Sequence, residues 1–137
     1  MTVQYIATNA IDQAIEAVID MMNDTHPYAA VTRGSLPVAA GITVEPDPSM
    51  PESMHMDKNT VIPLTLVINA KHPNRLLLND TMIAIHAALT RATWYPASDA
   101  WQIIDINTYT LPRIIGREQN NDWLAASALR VTFYWRG

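Results

Sequence analysis

The sequence predicts an α+β domain: two helices packed on one face of a mostly antiparallel β-sheet, with a long C-terminal β-hairpin. Three observations carry this. Two stretches place apolar residues at helical spacing. Runs rich in Val, Ile, Leu and Thr lie between prolines and glycines. The last third of the chain alternates with a period of two. At 137 residues the chain reads as a single domain over residues 1–137.

The first helix is predicted over residues 9–23. Ile11, Ile15, Val18, Ile19 and Met22 fall on one face, with Asp12, Gln13, Glu16 and Asp20 mostly on the other. Asn9 is the expected N-cap, and Asp12 the acid facing the positive end of the helix dipole. Dense prolines then forbid a long regular element, which leaves room for short strands over 29–33 and 41–45. Residues 60–70 read as a strand, and Pro63 near its start suggests an edge position or a bulge. In the second helix Pro73 suits the first turn, and Leu78, Met82, Ile85, Leu89 and Ala92 form the apolar stripe.

Two long runs close the chain, beginning at Trp101 and Asp122 and joined by about ten residues, "RIIGREQNND". The Ala-rich start of the second run could pass for a helix. Its β-branched and aromatic ending, with a hairpin partner available, decides for a strand. Phe133 and Trp135 share the more apolar face with Leu129 and Val131. Tyr134 and Arg136 point the other way, toward a possible neighbour.

Composition narrows the function. Charged residues make up 16% of the chain, below the ~25% of average domains, which suits burial against a partner although small domains also vary this much. The formal net charge of −4 argues against a dedicated nucleic-acid binder but not against a protein past which DNA slides. Without cysteine there is neither a disulfide framework nor thiolate chemistry. No apolar run approaches the ~20 residues that span a bilayer, and the start lacks a signal-peptide pattern, so a cytoplasmic site of assembly is expected.

Catalytic constellations fail. There is no Gly-x-Ser-x-Gly elbow and no phosphate loop. "HMD", His55 to Asp57, could place two ligands on one face of a strand, but reads better as polar surface. His86, at the flank of the helix stripe, reads as a satisfied boundary histidine rather than a base. Asp105 sits between isoleucines; Ile104 and Ile106 are expected on one face, with Asp105 toward solvent beside Ile103 and Asn107. No catalytic residue, cofactor or metal is therefore expected. Two segments remain as contact candidates. The proline-rich arm over 45–57 carries Met54 and Met56, which either dock to a neighbour or fold back on the protein's own core. The hairpin tip over 111–122 carries Arg113, Arg117, Glu118 and Asp122, where Arg favours interfaces.

The stretches "THPYAAVTRGSLP", "GITVEPDPSMPE", "DAWQIIDINTYTLPRIIGRE" and "WLAASALRVTFYWR" resemble the family of minor capsid or tail-terminator proteins of long-tailed (siphovirus-like) bacteriophages. The likeness covers most of the chain, and its most specific pieces are "TLPRIIGRE" and "VTFYWR". The resemblance implies an α+β virion protein of the head–tail neck that forms a homo-oligomeric ring, typically a hexamer. Such a ring caps the tail tube, terminates its elongation and meets the head–tail connector, while DNA passes through the lumen without specific binding. The same resemblance admits a head-completion or stopper protein of the same neck. A small hydrolase or ligand-binding domain using Asp105 or the His55–Asp57 pair is the reading from another class. Met54, Met56, Arg113, Arg117, Glu118, Tyr134 and Arg136 are the residues expected at subunit or tail-tube interfaces.

Overall fold

The computed structural model describes residues 4–5, 8–34, 36, 40–46, 55–56, 60–98, 101–119 and 121–135. In chain order the elements are β1 (Gln4–Tyr5), α1 (Thr8–Asn23), β2 (Val31–Arg33), β3 (Gly41–Pro46), β4 (His55–Met56), β5 (Thr60–His72), α2 (Arg75–Thr90), β6 (Trp101–Arg117) and β7 (Trp123–Trp135). Five strands form one sheet in the order β2-β3-β5-β7-β6, while β1 and β4 pair separately. All pairings are antiparallel except β2 with β3. The domain is therefore α+β, as its sequence predicts, with both helices on one face of the sheet.

Helix α1 buries Ala14, Ile15, Val18, Ile19 and Met22, with Ile11 packed beside them. Each side chain of this size contributes about 1.5–3 kcal/mol when fully buried. The helix begins at Thr8, so Asn9 lies inside the first turn rather than at the cap. Asp12 is not left to the dipole: its Oδ1 lies 3.0 Å from Arg33 Nη1 on β2.

Helix α2 starts at Arg75, two residues later than the proline suggests. Asn74 is the N-cap, its side-chain oxygen accepting from the Leu77 N–H at 3.2 Å, and Pro73 precedes it. Leu78, Met82, Ile85 and Leu89 are fully buried, while Asp80 and Arg91 lie outside. The C-terminal end closes with the Arg91 N–H on the Ala87 carbonyl at 3.1 Å.

Strand β5 is central rather than marginal, pairing with β7 along its whole length. Its partner β3 reaches only from Leu66 to Lys71, so Pro63 lies where β5 has lost that neighbour. The strand is internal, but its proline occupies a locally one-sided stretch, where the missing N–H is tolerated.

Strand β6 forms the sheet edge and carries Pro112 and four register irregularities against β7. Both features suit an edge that must not recruit another strand. The first irregularity, between Ile103 and Asp105, overturns the simple alternation. Ile103 and Ile106, not Ile104 and Ile106, enter the core, leaving Ile104 47% exposed. The half-buried Asp105 carboxylate stabilises the bulge by accepting from the Ile106 N–H at 3.0 Å and the Asn107 amide at 2.9 Å.

Strand β7 obeys the alternation. Ala125, Leu129, Val131 and Phe133 face the helices and are buried. The Phe133 ring lies 6.1 Å from that of Trp101, whose Nε1 donates to Gln13 Oε1 of α1 at 3.0 Å. The connection between β6 and β7 is half the expected length, running only over residues 118–122. The Glu118 N–H donates to the Asp122 carbonyl at 2.7 Å and the Asn121 N–H to the Glu118 carbonyl at 3.0 Å. Asn121 adopts φ 73°, a left-handed conformation that asparagine tolerates well.

Candidate assembly surface

The hairpin end is held by neighbouring elements. Trp123, the first residue of β7, carries the Arg117 guanidinium 4.8 Å from its ring centroid and the Arg75 guanidinium at 5.6 Å. Glu118 Oε1 accepts from Lys71 Nζ at 3.3 Å, and the lysine side chain is only 6% exposed. The Tyr28 hydroxyl donates to the Lys71 carbonyl at 2.8 Å and also lies 3.0 Å from the Gly41 carbonyl, which ties the loop after α1 to β3 and β5. Burial pushes the Tyr28 phenol well above its usual pKa, so it remains a donor at any ordinary pH.

Beneath α2 lies a buried polar cluster. His86 Nδ1 is 2.9 Å from Thr108 Oγ1 on β6, and His86 Nε2 is 2.8 Å from Ser127 Oγ on β7. Burial lowers the imidazole pKa to about 4. A neutral ring has one donor and one acceptor nitrogen, and two hydroxyls can serve both. The residue is deeper than a boundary position but satisfied, as expected. Ser127 is 2% exposed and His86 5%, so this buried serine–histidine pair holds the sheet to the helix.

Among the described residues the second face of the sheet carries no helix. There Val67 and Asn69 of β5 lie beside Ala126, Ala128 and Arg130 of β7. Residues Thr65, Val67, Tyr109, Thr110, Arg113, Ala126 and Ala128 line an open trough of about 200 Å³. Two arginines flank it. Arg130 stacks its guanidinium 4.5 Å from the Tyr109 ring centroid, and its Nε is buried without a hydrogen-bond partner. Arg113 is exposed and has no carboxylate partner among the described residues.

No protein-family model matches the sequence, and no curated protein matches it. Seven chains of solved structures match. One of them belongs to the "Virion of native gene transfer agent (GTA) particle". It aligns with a TM-score of 0.61 at 13% identity, over 91% of this chain and 98% of that chain. At that identity the likeness is one of fold, and it extends through nearly the whole of both chains.

The expected contact residues fall into separate groups. Arg113 lies on the open face. Arg117 and Glu118 lie at the hairpin end and are engaged within the chain. Tyr134 is half-buried near the far end of β7. It stands eight residues beyond Ala126, the register partner of Arg113, or about 27 Å along the strand. Met54, Asp57 and Arg136 lie outside the described residues. Met56 and His55 are described only through their backbone pairing with Gln4 and Tyr5. Among the described residues no group of three or more His, Asp or Glu side chains could hold a metal ion, and no helix is long and apolar enough to cross a membrane.

Sequence reasoning missed Arg130 as a contact candidate. It stood on the less apolar side of the β7 alternation, but its partner Tyr109 could be assigned only with the register of a bulged strand. Lys71 was missed because its role depends on Glu118, 47 residues away.

Proposed function

We propose that this protein is a structural component of a phage-like virion, acting in the head–tail neck as a tail terminator. The observation that carries this is the fold shared with a chain of a gene transfer agent virion over 98% of that chain. The proposed mechanism is geometric. Copies assemble into a ring, hexameric in the fullest form of the reading, that caps the tail tube and stops its elongation. The ring then offers its other side to the head–tail connector or stopper protein, and DNA passes through the lumen without being gripped. The net charge of −4 supports a lumen that does not retain DNA. A ring needs two different contact surfaces on each subunit. A two-layered domain, with helices on one side and an open sheet face on the other, supplies two such surfaces.

Deleting the gene tests this directly. Loss of a terminator gives over-long tails, measured by negative-stain imaging. Loss of a stopper instead gives normal tails and filled heads that leak DNA. Purified protein that neither forms rings nor binds tail tubes removes the reading altogether.

A further inference from the structure

We propose that the open sheet face of one copy binds the outward face of α1 on the next copy, with Arg113 and Arg130 engaging its row of acids. This rests on the ring reading above and names the two surfaces that the ring would join.

The open face offers a trough floored by small side chains, Ala126 and Ala128, with Arg113 in its lining and Arg130 set against its Tyr109. Arg130 is pre-set for a carboxylate. Its guanidinium is held 4.5 Å from the Tyr109 ring centroid, the side chain is half-buried, and it has no carboxylate partner among the described residues.

The opposite face of the molecule offers the complement. Glu16, Asp20 and Asp24 are all exposed, and none is ion-paired to another described residue. Four-residue spacing places Glu16 and Asp20 on one ridge of α1, with Asp24 just past its end, a row about 12 Å long. Arg130 lies four residues along β7 from Ala126, the register partner of Arg113, a spacing of about 14 Å. The two rows therefore match in length and oppose in charge. They lie on opposite faces of the two layers, because α1 buries its apolar stripe against the sheet. A contact between unlike faces is heterologous, the type that closes into rings.

The test uses the full chain in sedimentation velocity at low and high salt, with circular dichroism as the folding control. One variant carries Arg113→Glu and Arg130→Gln. A second carries Glu16→Lys, Asp20→Lys and Asp24→Lys, all at exposed helix positions that leave the core untouched. The wild type is expected to associate, each variant alone to lose at least about tenfold in affinity, and an equimolar mixture to recover association. Recovery is specific, because only unlike faces of the two variants are then complementary. Variants that associate like the wild type overturn the proposal and leave the ring reading standing. So does a mixture that stays dissociated. An acid-row variant that assembles normally while the arginine variant does not also overturns it, since the arginines would then hold another part of the neighbour. A wild type that stays monomeric at every concentration and on tail tubes removes both this contact and the ring.

Discussion

The two faces of the same sheet follow opposite rules. Toward the helices β5 and β7 present Leu64, Leu66, Ile68, Ala70, Leu129, Val131 and Phe133, all at most 1% exposed. Away from them the same strands present Val67, Asn69, Ala126, Ala128 and Arg130, with small floors and an arginine set against Tyr109. One face is a finished core. The other is an open trough beside two arginines. On the proposed reading stability belongs to the first face and assembly to the second, and mutations should separate them.

The largest effect is expected at Phe133. Phe133→Ala removes a fully buried ring packed beside Trp101 and should cost about 4 kcal/mol, read as a lower midpoint in chemical denaturation. If that loss is below ~1 kcal/mol, the helix-covered face is not the dominant core.

Next comes the pH dependence set by His86. Its folded pKa of about 4 lies below the ordinary 6.5, so the unfolded chain binds a proton that the folded chain refuses. The stabilisation is complete above pH 6.5 and is lost as pH falls toward 4, by roughly 3 kcal/mol in all. His86→Gln cannot titrate there, and the difference between the two pH profiles isolates this group. Parallel profiles between pH 6.5 and 5 would mean that the imidazole is accessible to protons in the folded state.

A smaller cost is expected at the hairpin end. Glu118→Gln leaves the buried Lys71 ammonium without its carboxylate and should cost about 2 kcal/mol, since the glutamate side is partly solvated. The midpoint of thermal unfolding measures it. The smallest stability effect belongs to the open face: Arg113→Glu should change stability by less than ~0.5 kcal/mol, within the scatter of surface substitutions, while weakening self-association. A large loss of stability there would merge the two faces into one structural unit.

Much of the framework was legible in the chain. The stripe of Ile15, Val18, Ile19 and Met22, and that of Leu78, Met82, Ile85 and Leu89, identify both helices because burial on one side imposes a period near 3.6. The alternation from Ala125 to Phe133 identifies β7 and its core face for the same reason at period two. The candidate surface was less legible. Arg113 was found through its position near the hairpin tip, but it lies in a strand, not a loop. Ile104 was assigned to the wrong side because one bulge reverses every side chain beyond it.

Local periodicity, caps and punctuation thus determined which segments are helix or strand and which residues form the core, because those depend on neighbours within a few positions. Tertiary structure alone decided that Lys71 meets Glu118, that His86 is clasped by Thr108 and Ser127, and that Arg130 stacks on Tyr109 beside Arg113. These groups are separated by 17 to 47 residues along the chain, and their meeting depends on strand order and on the slipped register of β6 against β7. Register is a property of the assembled sheet, and the surface built upon it could be read only there.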